Sequence, residues 1–111
     1  MTEGRVTVVA RVKARAGKED EVRRLLMALV APSRAESGYL NYDLHQSTTD
    51  PTEFMFYENW TSRAALDAHA AMPYLDEFDA QSEGLLAAPV EISFWRMTST
   101  PATESETKSD G

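Results

Sequence analysis

The 111-residue chain contains no cysteine, so disulfide bonds, thiol nucleophiles and cysteine-ligated metal sites are excluded. No apolar run approaches the roughly 18 residues that a membrane span requires. The N-terminus also lacks the apolar segment of a signal peptide. From these absences we expect a soluble, cytoplasmic protein that does not bind membranes.

Basic residues are scarce, with 11 Lys and Arg against 18 Asp and Glu and a net charge of -7. Nucleic-acid binding relies on clustered basic side chains, so we expect no nucleic-acid partner. Histidine is also rare, and the chain has only His45 and His69. Because no convincing pair of carboxylates lies one helical turn apart beside them, we expect no metal site.

The spacing of apolar residues predicts four strands and two helical regions. Gly17 ends the first strand, and an acidic first turn then opens a helix. Pro32 should interrupt that helix, and Gly38 should end it. The predicted elements are a strand over 5–15, a helix over 19–38, strands over 39–46 and 53–60, helical pieces over 62–71 and 74–86, and a strand over 90–97.

This order, β-α-β-β-α-β, predicts an α+β, ferredoxin-like fold with an antiparallel sheet and helices on one face. We assign residues 1–97 to this single domain. From Thr98 onward the chain is rich in Ser, Thr, Glu and Pro and has no apolar anchor. We therefore expect residues 98–111 to form a disordered tail.

The third strand is apolar on both faces. Phe54, Phe56 and Trp60 share one side of the strand, and Met55 and Tyr57 share the other. A sheet that is apolar on both faces must have both covered, yet the chain has helices for only one. A second copy of the chain is the simplest cover, so we expect a homodimer.

Both histidines flank the aromatic residues of this strand, an arrangement suited to a pocket for a planar molecule. If His45 pairs with Phe54, then His45 and Asn41 lie on the same face of the sheet as Phe56 and Trp60. If the pairing is shifted by one residue, the first two residues lie on one face and the last two on the other. His69 lies on the helix stripe that should face the sheet. It could point into a pocket as a general base or bond a backbone carbonyl.

Four segments resemble the antibiotic biosynthesis monooxygenase domain family of the dimeric α+β barrel superfamily, over about residues 5–97. They are Arg-x-Lys-Ala-Arg-x-Gly-Lys-x-x-Glu at 11–21, Gly-Tyr-Leu-Asn-Tyr-Asp-Leu-His at 38–45, Tyr-Glu-Asn-Trp-Thr-Ser-Arg-Ala-Ala-Leu-Asp-Ala-His at 57–69, and Met-Pro-Tyr-Leu at 72–75. The resemblance implies a dimeric α+β barrel.

The resemblance also implies oxidation of a quinol or polycyclic phenol by O2 without metal, flavin or other cofactor. The partners would then be a small aromatic substrate and O2. The implied catalytic residues are His45, His69 and Trp60. The residues expected to bind the substrate are Asn41, Phe56, Leu66 and Phe78.

Two of these positions depart from the polyketide-tailoring members, which carry asparagine where this chain has Phe56 and tyrosine where it has Leu66. A polyketide recognised through those polar groups is therefore not expected. Two alternatives stay open: a noncatalytic dimer that binds a small molecule or haem, and a cofactor-free isomerase of the same fold. Haem-degrading relatives place an asparagine in the first strand, and residues 6–14 contain none.

Overall fold

The structure, a computed structural model, describes residues 4–101. It contains four strands and four short helices in the order β-α-α-β-β-α-α-β. Within the described residues, no helix is both long and apolar enough to cross a bilayer. The elements are β1 (Val6–Lys13), α1 (Glu19–Met27), α2 (Val30–Arg34), β2 (Tyr39–Gln46), β3 (Glu53–Trp60), α3 (Arg63–Ala70), α4 (Pro73–Gln81) and β4 (Glu91–Trp95).

The four strands form one antiparallel sheet in the order β2-β3-β1-β4. The predicted α+β, ferredoxin-like fold is confirmed, and β2 and β3 have the predicted bounds. One face of the sheet packs on the helices through the alternate, buried residues of each strand. The core comprises Val8, Ala10, Val12, Ala14, Val22, Leu26, Leu29, Tyr42, Phe54, Phe56, Trp60, Leu66 and Phe78.

The first helical region breaks earlier than predicted. Helix α1 ends at Met27, and Pro32 lies inside the first turn of α2 rather than at the break. Proline is tolerated there because the first backbone N–H groups of a helix have no intrahelical partner. The interruption therefore falls between the two helices, upstream of the proline.

The end of the domain also differs from the prediction. Helix α4 stops at Gln81 rather than near residue 86, because the chain turns at Gly84, whose φ of 82° is natural only for glycine. Leu86 then forms an isolated antiparallel bridge with Ala14. Of the predicted disordered tail, residues 98–101 contain no helix or strand, and residues 102–111 lie outside the described residues.

Two local features fix helix α3 against the sheet. The Ser62 side chain caps the helix by accepting a hydrogen bond from the Ala65 N–H at 3.1 Å. Gly38 lets the helix approach closely, since a Cβ at that position would overlap the Ala65 side chain. The Thr61 N–H donates to the Gly38 carbonyl at 2.9 Å. Together these contacts set the position of His69 in the last turn of α3.

Candidate functional site

A cavity of about 380 Å³ lies between the helical layer and the inner face of the sheet. Its volume falls within the range of small-molecule sites in proteins, roughly 300–1,000 Å³. Most of its wall is apolar, and a few polar groups converge on it. The apolar lining comprises Val8, Ala10, Val12, Leu26, Leu29, Phe56, Leu66, Ala70, Leu75, Phe78, Val90, Ile92 and Phe94.

His69 forms part of the cavity wall and is only 5% exposed. Its ring lies against the fully buried ring of Trp60, with centroids 4.4 Å apart and planes inclined by 32°. Tyr42 meets the imidazole edge-on at 5.2 Å. The imidazole is therefore held by aromatic rings, which fix its orientation and keep water away from it.

Glu36 supplies the hydrogen bond that orients this ring. Its Oε2 lies 2.9 Å from His69 Nδ1 and also accepts a hydrogen bond from the Tyr74 hydroxyl. The side chains of Glu36 and His69 are both buried. Because a carboxylate only accepts hydrogen bonds, Nδ1 carries the proton and Nε2 is the basic atom of the neutral ring. Within residues 4–101, the hydrogen bond of this ring is made by Nδ1.

The two tyrosines beside this pair stay protonated near neutral pH. Burial, together with the hydrogen bond to Glu36, raises the pKa of Tyr74 to about 12. Burial also raises the pKa of Tyr42, and the nearby Glu58 carboxylate adds to the effect. Tyr74 therefore acts as a hydrogen-bond donor to Glu36, and Tyr42 as a neutral wall of the cavity.

Glu58 places a buried carboxyl group at the cavity wall. It is 4% exposed, and its Oε1 accepts a hydrogen bond from Trp60 Nε1 at 3.0 Å. Burial raises the pKa of Glu58, although the Trp60 bond and, when it is protonated, His69 partly oppose that rise. The same tryptophan thus contacts both the histidine and this acid.

Replacing Glu58 with glutamine should change how stability depends on pH. The pKa of Glu58 is higher in the native state than in the unfolded chain. Between these two pKa values the native state binds more protons, so the free energy of unfolding of the wild type falls as pH rises through this range. Each pKa unit between the states is worth about 1.4 kcal/mol. Denaturant unfolding from pH 4 to pH 8 should show that the free energy of unfolding of Glu58→Gln increases relative to that of the wild type as pH rises. A constant difference would contradict this account.

His45 and Asn41 lie on the other face of the sheet. His45 pairs with Met55 and not with Phe54, so the register shifted by one residue is the one present. The turn sets this register, since the Ser47 N–H bonds the Glu53 carbonyl at 2.9 Å. A one-residue shift moves a side chain to the opposite face, and the two residues are therefore not brought together with Phe56 and Trp60.

The surroundings of these two residues differ from those of the cavity. His45 is exposed, and its Nδ1 lies 3.1 Å from the backbone carbonyl of Asp43. Asn41 accepts a hydrogen bond from the Asn59 side chain at 3.1 Å. Of the other predicted site residues, Phe56, Leu66, Phe78 and His69 line the cavity, and Trp60 packs directly behind His69.

A model of the antibiotic biosynthesis monooxygenase family matches residues 5–81. The chain belongs to this family. A Synechocystis protein of uncharacterised function is 36% identical over 95 residues, which are 86% of this chain and 65% of that protein. A Mycobacterium tuberculosis protein, provisionally named as a monooxygenase, is 39% identical over 88 residues, covering 79% of this chain and 86% of the relative.

A solved structure gives the same result for the fold. The crystal structure of a Pseudomonas aeruginosa protein superposes with a TM-score of 0.83 at 36% sequence identity, covering 89% of this chain and 99% of that one. Membership of the antibiotic biosynthesis monooxygenase family rests on the match of residues 5–81, and this solved structure supports the fold. One fold hosts many chemistries, so the reaction depends on the groups that line the cavity.

Four residues of this site were not among the site residues predicted from the sequence. Glu36 and Tyr74 flank His69, and Tyr42 and Glu58 line the cavity. Tyr74 lies in one of the segments that resemble the family, which could have pointed to it. Nothing local marks Glu36, which is 33 positions from its histidine partner. In residues 4–101, no group of three His, Asp or Glu side chains is arranged to hold a metal ion.

Proposed function

We propose that this protein is a cofactor-independent monooxygenase that oxidises a quinol or polycyclic phenol with O2. The observation that carries the proposal is the buried Glu36–His69 pair, with an N···O distance of 2.9 Å, at the wall of an apolar cavity. A buried base beside apolar walls is suited to removing a phenolic proton while excluding water. The family relationship supports the same class of reaction.

In the proposed reaction, His69 Nε2 accepts the proton of a substrate hydroxyl group. Glu36 stabilises the imidazolium that results, as the carboxylate does in other carboxylate–histidine pairs. Loss of the proton makes the aromatic ring a stronger reductant, because the phenolate is richer in electrons than the phenol. The apolar walls then shelter this anion from protonation by water.

The phenolate next gives one electron to O2, and the resulting substrate radical and superoxide combine to form a carbon–oxygen bond. Protonation of the peroxide by the imidazolium yields a hydroperoxide. Loss of water from that carbon breaks the O–O bond and leaves a carbonyl group. In sum, a hydroquinone and O2 give a hydroxyquinone and water, so one oxygen atom enters the product.

We further propose that the protein works as a homodimer packed through the outer face of the sheet. Trp95 and Tyr57 lie on that face and are 60% and 38% exposed. Val9 and Met55 share the face with them. A second copy would bury this apolar surface and form the two-sheet barrel that the resemblance implies, while the cavity lies on the helical side.

Oxygen consumption with a panel of hydroquinones and anthrones tests the proposal. We expect protein-dependent uptake of one O2 per product molecule, and mass spectrometry with ¹⁸O2 should show one labelled atom in the product. The uptake should persist in the presence of a metal chelator and should be absent with heat-denatured protein. Superoxide dismutase should not abolish it, since the radical pair forms inside the cavity.

Two results would contradict the oxidation and favour an alternative. Product formation under strictly anaerobic conditions would indicate isomerase chemistry. Ligand binding without any oxygen uptake across the panel would indicate a noncatalytic binding protein. Either result would leave the family assignment and the fold unchanged.

A further inference from the structure

The charged side chains around the cavity are predominantly acidic. Among the described residues, four carboxylates and one guanidinium line it: Glu58, Asp67, Asp76, Asp79 and Arg63. Glu58 is buried beside His69 and Trp60, whereas the three aspartates lie at the exposed rim. Asp76 and Asp79 are three residues apart on α4 and therefore neighbours on one face of that helix.

The single arginine of the lining already has partners. Arg63 Nε donates to Asp67 Oδ1 at 3.1 Å, and the guanidinium lies 5.1 Å from the centre of the Phe94 ring. His69, the other group able to carry positive charge, is paired with Glu36. A negatively charged ligand entering the cavity would thus meet carboxylates and no unpaired cation among these residues.

An anion that enters an apolar cavity loses its hydration, and that loss is costly unless a cation replaces the water. A buried carboxylate adds repulsion that is stronger than in water because the surroundings are less polarisable. The rim aspartates add a weaker repulsion that salt can screen. Neither repulsion acts on an uncharged ligand.

We propose that the cavity selects electrically neutral aromatic substrates and rejects carboxylated, sulfated or phosphorylated analogues of the same ring. This inference rests on the proposed function for placing the substrate in the cavity, but it concerns binding and does not require turnover. It also extends to the product. A hydroxyquinone is a vinylogous carboxylic acid and ionises near neutral pH, so the product released into water becomes an anion that would meet the same carboxylates on returning to the cavity.

Anaerobic binding of three matched probes tests the selection by titration calorimetry. They are 2-naphthol, 6-hydroxy-2-naphthamide and 6-hydroxy-2-naphthoate. The amide and the carboxylate have nearly the same size and differ in charge. We expect the naphthol and the amide to bind with similar Kd values and the carboxylate to bind at least about tenfold more weakly.

Two double variants test whether the aspartates at the rim contribute to the discrimination between the amide and the carboxylate. Asp76→Asn with Asp79→Asn should reduce the discrimination between amide and carboxylate several-fold. Glu77→Gln with Glu83→Gln is the matched control, because it removes the same charge from α4 and the turn that follows it at exposed positions that do not line the cavity. The control should leave the discrimination unchanged.

A pair of quinones tests whether the anionic product binds more weakly than a neutral analogue. At neutral pH, 2-hydroxy-1,4-naphthoquinone is an anion, whereas its 2-methoxy ether is neutral, and the ether should bind more tightly. Equal affinity for the amide and the carboxylate would overturn the proposed selection while leaving the oxidation standing. Equally weak binding of the amide and the carboxylate would show that the size of the ligand determines its affinity, and it would also overturn selection by charge. The expected selectivity without oxygen uptake would support the selection and contradict the oxidation.

Discussion

Replacing His69 with asparagine should lower the rate of quinol oxidation by about 10²- to 10⁴-fold, the usual contribution of a general base. Asparagine can keep a hydrogen bond to Glu36 but offers no basic nitrogen to the cavity. Steady-state oxygen uptake should show the loss mainly in kcat, since the apolar walls that bind the ring are unchanged. Thermal melting and sedimentation should show that the variant still folds and associates like the wild type.

Glu36→Gln should have a smaller effect, about 10- to 100-fold in kcat. The glutamine oxygen can still accept the Nδ1 proton, but the negative charge that stabilises the imidazolium is lost. A structural role alone would lower stability without lowering kcat selectively. We therefore expect Glu36→Gln to melt close to the wild type and to lose activity in kcat with little change in KM.

His45→Asn tests which of the two histidines predicted to be catalytic is needed for activity. His45 is exposed on the outer face of the sheet, away from the cavity, so we expect its variant to keep most of the activity. A loss as large as that of His69→Asn would contradict our choice of His69 as the base. A fully active His69→Asn would do the same.

The sequence was sufficient to predict the fold because the alternation of apolar residues is strong. Strands β2 and β3 were predicted with their observed bounds. Local signals of this kind depend on neighbouring residues only. The position of His69 on the face toward the sheet follows from the same helical spacing.

The site was predicted less completely because it depends on contacts between distant residues. The pairing of His45 depends on a turn whose geometry moves the register by one residue, and one residue reverses the face. The partner of His69 is Glu36, 33 positions away in the segment between α2 and β2. Neither the register nor this pairing leaves a periodic pattern in the sequence.

Replacing Trp95 with alanine should weaken the proposed dimer. Trp95 lies opposite Thr7 on the outer face of the sheet. Large aromatic side chains at the centre of an interface often contribute about 2 kcal/mol or more, which corresponds to roughly thirtyfold in Kd. Sedimentation velocity over a range of concentrations should show the wild type as a dimer and Trp95→Ala dissociating at higher concentrations.

Phe94→Ala is the matched control for this experiment. Phe94 is the preceding residue of β4 and is 54% exposed, close to the value for Trp95. Its ring lies on the opposite face, where it lines the cavity beneath Arg63. Because the strand alternates, Phe94→Ala should weaken ligand binding and leave the dimer intact, whereas Trp95→Ala should do the reverse. Dissociation in both variants, or a monomeric wild type, would contradict packing through the outer face of the sheet.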